Sequence, residues 1–281
     1  MKTRCLLLGL LLCITSGIHA QKQTIYVDNF YSEINVIAAT VTQIRSAVID
    51  EIGNTNRVRL VDALTVAPAE EVAPIEKALQ YRAQYLLQGT ILHREATDDG
   101  ISSPRFHSRE NSYKEAFTLR LQLIRTSDGT TIFSRNYEET GSSSGKDASQ
   151  YNATENALLN TRYEVRTFIE QYFRVHGAIV NMASHNARKA KKVYINLGYE
   201  DPIKEGQRFD VTIEKSLPDG GTVPEKIGEV RISEIVGARY SVCKVMSKGA
   251  DNILEAWDKG IKLHLVSREG RLFDDWRGPI Q

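Results

Sequence analysis

The stretch that decides the fold has two parts. Ala83-Gln84-Tyr85-Leu86-Leu87-Gln88-Gly89-Thr90-Ile91 comes first, and after a polar gap Phe117-Thr118-Leu119-Arg120-Leu121-Gln122-Leu123-Ile124-Arg125 follows. From Phe117 to Arg125 apolar residues alternate with polar ones, the period of a strand with one buried face. Ser127-Asp128-Gly129 supplies turn chemistry, and a short returning strand follows it through Ile132-Phe133-Ser134. The apolar run from Tyr85 predicts a strand over Tyr85 to Glu95.

Working outward, Ile25-Tyr26-Val27 predicts a short strand and Ser32 a helix cap. Ile34, Ile37, Val41, Ile44, Val48 and Ile52 recur at three- and four-residue steps, which predicts an amphipathic helix that Gly53 ends. Val58 to Val61 is a further strand. Pro74 opens a short helix through Ile75, Ala78 and Leu79, since proline fits a first helical turn. Asp147 and Gln150 have capping-box spacing before a long helix. Tyr151, Leu158, Val165 and Tyr172 lie seven apart along it, and Phe168 and Ile169 widen its apolar face. The expected order is β-α-β-α-β-β-β-α.

Beyond Arg174 to Gly177 the pattern changes. From His176 to Val266 no strong helical period is present. Short β-rich runs occur at Ala178–Asn181, Lys192–Leu197, Arg208–Glu214, Lys226–Ile235, Tyr240–Met246 and Ile261–Val266, separated by turns such as Pro218-Asp219-Gly220-Gly221. This predicts a small barrel or sandwich. The chain therefore reads as α+β: a leader at 1–20, an α/β domain at 21–174, a small all-β domain at 175–267 and a tail at 268–281.

Ala83, Tyr85, Leu86, Leu87, Gly89 and Ile91, with the Asp128-Gly129 turn, resemble the TolB amino-terminal-like domains of CsgG-like, LpoB-like and FlgT-like envelope proteins. Gln84 replaces the acidic residue usual in that motif. Gly89 inside a strand implies a position where another backbone approaches closely. Val193-Tyr194-Ile195-Asn196-Leu197-Gly198, with Asp201, Gly206, Phe209 and Val211, is similar to the carboxy-terminal β-domain of FlgT-type proteins, with Asp201-Pro202 in place of Asp-Gly at the turn. The resemblance implies a structural or binding component of the cell envelope. A secretion pore of the CsgG kind needs membrane hairpins of about 9–11 residues per strand. The polar insert Asp98 to Glu115 is too short for one, so a pore is not expected.

Lys2 and Arg4, the apolar core Leu6 to Ile14 and Ile18-His19-Ala20 have the layout of an export signal cleaved after Ala20. Cys13 offers a lipoprotein alternative, weakened by Leu12 before it. The chain carries 36 Lys and Arg against 35 Asp and Glu, which gives no electrostatic reason to expect nucleic acid. No later run is long enough to be a transmembrane helix. Cys5 and Cys13 leave with the leader, so Cys243 stands alone and is expected to be a buried small hydrophobe.

No phosphate-binding glycine loop, Gly-x-Ser-x-Gly or His-Glu-x-x-His occurs. His93 and Glu95 share a strand face but lack the further ligands zinc requires. Arg188-Lys189-Ala190-Lys191-Lys192 is expected to be a solvated loop entering a strand. Catalytic, cofactor and metal residues are therefore all expected to be none. Partner contacts are expected from Arg105, Phe106 and Tyr113 in the insert and from Phe273 and Trp276 in the tail. The expected function is an exported, non-enzymatic accessory or scaffold, periplasmic or peripherally associated with the outer membrane. It would bind an envelope protein partner, with an oligomer left open. A LpoB-like regulator of a wall-synthesis enzyme and an exported hydrolase with scattered catalytic groups are the alternatives.

Overall fold

The period-two pattern of the quoted stretch builds a mixed sheet whose two faces are both covered. The computed structural model describes residues 22–36, 38–66, 72–98, 101–102 and 109–268. Among them the strands are β1 (Thr24–Val27), β2 (Tyr31–Ser32), β3 (Arg59–Asp62), β4 (Tyr85–Asp98), β5 (Ile101–Ser102), β6 (Arg109–Arg125) and β7 (Thr131–Gly145). β1 runs parallel to β3 and β4, and β4, β6 and β7 are antiparallel neighbours. Alternate residues of one strand enter different cores. Ile25, Val27, Leu87 and Ile91 face helices α1 (Ala38–Thr55) and α3 (Gln150–Tyr172), together with Leu119, Leu121 and Leu123. Tyr26, Leu86 and Ile124 face α2 (Pro74–Gln80) on the opposite side.

Ile44, Val48 and Ile52 are fully buried, as the helical period predicts, and α2 begins at Pro74. The expected ends of α1 need correction. Ser32 lies in β2 beside Ile91, and its hydroxyl bonds the backbone of Ile34, so it caps nothing. Ile34 precedes the helix, and Ile37 lies outside the described residues. Gly53 sits inside α1, which runs on to Thr55. The left-handed residue after it is Asn56 at φ 52°, a residue type that tolerates that conformation. Gly89 does meet a close approach, but from a ring: a Cβ there would lie 2.5 Å from the Phe30 side chain.

The cap of α3 also differs from the capping-box reading. Ser149 is the cap, and its hydroxyl accepts from the Asn152 amide at 3.2 Å. Leu158, Val165, Phe168 and Ile169 are buried, whereas Tyr151 and Tyr172 are exposed. An ideal helix drifts by about 20° per seven residues, so positions seven apart leave a straight seam at its ends. Backbone meets backbone where α3 crosses β7. A Cβ at Gly141 would come within 2.1 Å of the Ala153 carbonyl, so only glycine fits. The polar stretch Ser142 to Gly145 is the end of β7, paired with Asn111 to Lys114. β4 likewise continues to Asp98, and β6 begins at Arg109.

The remaining strands are β8 (His176–His185), β9 (Ala190–Ile195), β10 (Arg208–Ser216), β11 (Thr222–Ile235), β12 (Ser241–Val245) and β13 (His264–Ser267). They close an antiparallel barrel in the order β10-β11-β12-β9-β8-β13, an arrangement that removes free edges. Phe209, Val211, Val230, Cys243 and Leu265 fill it. One helix, α4 (Ala250–Asp258), was not expected. It buries Ile253, Leu254 and Ala256 against the barrel. Its nine residues are too few for a helical period to stand out among strands. The protein is thus α+β, a mixed sheet with helices joined to a small all-β barrel.

Candidate functional site

Cys243 and Glu115 are both buried. Cys243 lies inside the barrel, and burial pushes its thiol up to about 12, so it stays protonated at neutral pH. His93 and Glu95 are both exposed on β4. Among the described residues no three His, Cys, Asp or Glu side chains group as metal ligands. Glu115 is buried and takes both Arg94 nitrogens at 2.7 and 3.1 Å, with Gln150 Nε2 donating at 2.6 Å. A carboxylate so fully engaged is a structural clamp between the sheet and the start of α3.

Four of the five sequence candidates for partner contact, Arg105, Phe106, Phe273 and Trp276, lie outside the described residues, as does the expected leader at 1–20. Tyr113 is described, but not in a loop. It pairs with Asp98 on one side and Ser143 on the other, half-buried within β6. The described part of the insert from Asn111 to Glu115 is thus strand, in which neighbouring backbones supply the order that its polar sequence does not advertise.

One group of exposed apolar and aromatic side chains is carried by two connections of the barrel. The connection after β9 carries Tyr199, 71 % exposed, and the turn between β11 and β12 carries Val236, Arg239 and Tyr240. The two segments are tied together. The Tyr199 hydroxyl donates to the Ile235 carbonyl at 2.8 Å, and its amide donates to the Gly237 carbonyl at 3.0 Å. Asp201 Oδ2 accepts the Gly198 amide at 2.8 Å and holds the turn that presents Tyr199. The result is a rigid patch of two tyrosines, a valine and an arginine. Sequence reasoning missed it. The available signal was an aromatic directly after Gly198 in a predicted turn, where core packing gives it no role.

Beside this patch a cleft of about 740 Å³ lies at the junction of the sheet unit and the barrel. Its floor is a buried joint. Arg57 Nη1 donates to the Phe173 carbonyl at 3.1 Å and to Ser267 Oγ at 2.9 Å, and the Val175 amide donates to the same hydroxyl at 2.9 Å. Burial draws the Arg57 guanidinium below its ordinary pKa; Glu170 at 3.9 Å opposes that fall and the Arg174 charge adds to it. Partial desolvation and the Arg174 charge likewise hold His176 below the usual histidine range. A second hollow of about 680 Å³ adjoins the cleft, with Lys22 and Gln23 lining both.

No family model and no curated protein matches this chain. Partial likenesses to solved structures exist. The hypothetical protein CT253 of Chlamydia trachomatis is 13 % identical, covering 54 % of this chain and 98 % of its own, at a TM-score of 0.38. Lipoprotein GNA1162 of Neisseria meningitidis is 9 % identical, covering 51 % and 97 %, at 0.35. The LpoB C-terminal domain of Escherichia coli is 19 % identical, covering 41 % of this chain and 81 % of its own, at 0.27. Likenesses of this size are between parts of chains, and no residue's role follows from them. Among the described residues no helix is long and apolar enough to cross a membrane, a statement about helices alone.

Proposed function

We propose that this chain is an exported accessory or scaffold protein of an envelope assembly, acting through protein–protein contacts and not through bond-making. The patch of Tyr199, Val236, Arg239 and Tyr240 carries this reading. Tyrosine and arginine are enriched among the residues that dominate interface energetics. Tyr199 is both highly exposed and fixed by its own hydrogen bonds. A side chain ordered before binding loses little entropy on binding, which favours contact with a partner. The leader-like composition of residues 1–20 supports export to the periplasm or the outer-membrane surface. Regulation of a wall-synthesis enzyme is the narrower form of the same proposal.

The test is site-specific photocrosslinking in the native envelope. A photoreactive residue at 199 or 240 is expected to give one discrete crosslinked product. The same residue at the exposed hairpin position 219 is expected to give none. Equal labelling at all three positions would contradict the proposal.

A further inference from the structure

The charge of the whole chain is balanced, but the charge of the two adjoining hollows is not. The junction cleft is lined by Lys22, Arg57, Arg174, Arg239 and Lys262, and the second hollow by Lys22, Arg59 and Arg82. Asp201 is the one carboxylate among the described residues lining either. Arg57 and Arg239 have carboxylate neighbours, Glu170 at 3.9 Å and Glu200 at 3.5 Å. Lys22 donates to neutral Asn56 Oδ1. Arg59, Arg82 and Lys262 are exposed, and among the described residues no carboxylate pairs with them. A run of cations left without carboxylates along a concave surface raises the local concentration of anions.

Arg82 adds an observation independent of charge. It follows α2 at φ 55°, in the left-handed region where glycine or asparagine usually ends a helix. Its amide donates to the Leu79 carbonyl at 2.9 Å, so this is a formed helix end. Glycine would suit the backbone better there. A long cation held at such a position points from strain to a use for the side chain.

We infer that the two hollows together form a binding track for an anionic glycan, a saccharide chain carrying repeated carboxylate or phosphate groups. Arginine forks and lysine ammonium groups engage the anions. Tyr172 and Tyr240 line the cleft and are 40 % and 52 % exposed, which leaves aromatic surface for sugar rings. Residues 1–20 have an export composition, and the exported route meets acidic glycans far more than nucleic acid. The Arg188 to Lys192 run lies elsewhere, across the end of the β8–β9 connection and the start of β9, and has no part in the track.

The experiment measures binding of the purified protein to fluorescein-labelled polygalacturonate and phosphomannan, saccharide chains that carry carboxylate and phosphate groups respectively. Neutral dextran and a charge-matched single-stranded dT oligomer serve as comparisons. At least one of the two anionic polymers is expected to bind, with affinity falling about tenfold or more between 50 and 200 mM NaCl as counterion release requires. The triple variant R59E/R82E/K262E is expected to lose about tenfold or more of this affinity. The charge-matched control R188E/K189E/K191E is expected to change it less than about twofold. Arg82→Gly is expected to raise the melting temperature while weakening binding, an outcome that a purely structural role for Arg82 does not produce. Failure of both polymers to bind, equal loss in the two triple variants, or unchanged affinity in Arg82→Gly would each overturn the inference. Tighter binding of the dT oligomer than of either polymer would overturn the glycan assignment. None of the three track positions mutated lies in the tyrosine patch, so this test fails or succeeds independently of the protein-contact proposal.

Discussion

Glu139 shows how a single residue ties this fold to pH. It lies on β7 under α3 and is 5 % exposed. Burial, reinforced by the neighbouring Glu164 charge, pushes its carboxyl up to about 7, against the lowering effect of a hydrogen bond from Asn160. The unfolded chain ionises this group near 4.5, so the folded state holds the proton more tightly. The stability that this proton preference provides is complete below the unfolded value and is lost as pH rises through about 7. Glu139→Gln is therefore expected to melt roughly 2–4 °C higher than the parent at pH 8, a gain of about 1 kcal/mol, and to lose this advantage at pH 4.5. Thermal melts at the two pH values check it, and an equal difference at both would contradict the assignment. At this scale the sequence was informative about kind and silent about neighbour. Gly89 was legible as a place of close approach, but the approaching group, Phe30, lies 59 positions away in the chain by residue number and no local pattern connects them. The pairing of Glu139 with Glu164 across strand and helix is equally non-local.

Helix α3 carries the lesson at the scale of the element. Its existence and length were legible because an apolar face repeats over many turns. Its edges were not, since positions seven apart drift off the buried stripe and leave Tyr151 and Tyr172 in solvent. Leu158→Ala is expected to cost about 2–5 kcal/mol, because Leu158 is fully buried among α1 and sheet residues. Tyr151→Ala is expected to cost less than about 0.5 kcal/mol. Denaturant titration of both variants decides the matter, and similar costs would mean that the buried face is wrongly assigned. The long strands were half legible. Alternation identifies a strand when one face is buried, as from Phe117 to Leu123. It fails where both faces are polar, as from Glu95 to Asp98 and at Ser142 to Ser144, where cross-strand pairing provides the order. The basic track was illegible for a related reason. Lys22, Arg59, Arg82 and Lys262 are scattered along the sequence, and only the parallel pairing of β1 with β3 and β4 and the closure of the barrel gather them.

Among the described residues there are three hydrophobic cores, one on each face of the sheet and one inside the barrel, and the Arg57–Ser267 joint links the sheet unit to the barrel. Each unit possesses the core that independent folding requires, which leads us to propose that cutting between residues 174 and 175 yields two fragments that each melt cooperatively. Failure of both to fold would mean that the joint, and not the separate cores, sustains the structure. Function, we propose, resides in surface contacts. The most direct test is complementation of a deletion strain, with folded protein matched by immunoblot and thermal melt. The variant Y199A/Y240A, folded and present at the parental level, is expected to fail to complement, while Cys243→Ser and His93→Ala complement normally. Full complementation by the tyrosine variant, together with loss of function in a folded Cys243 or His93 variant, would contradict the claim and point to chemistry.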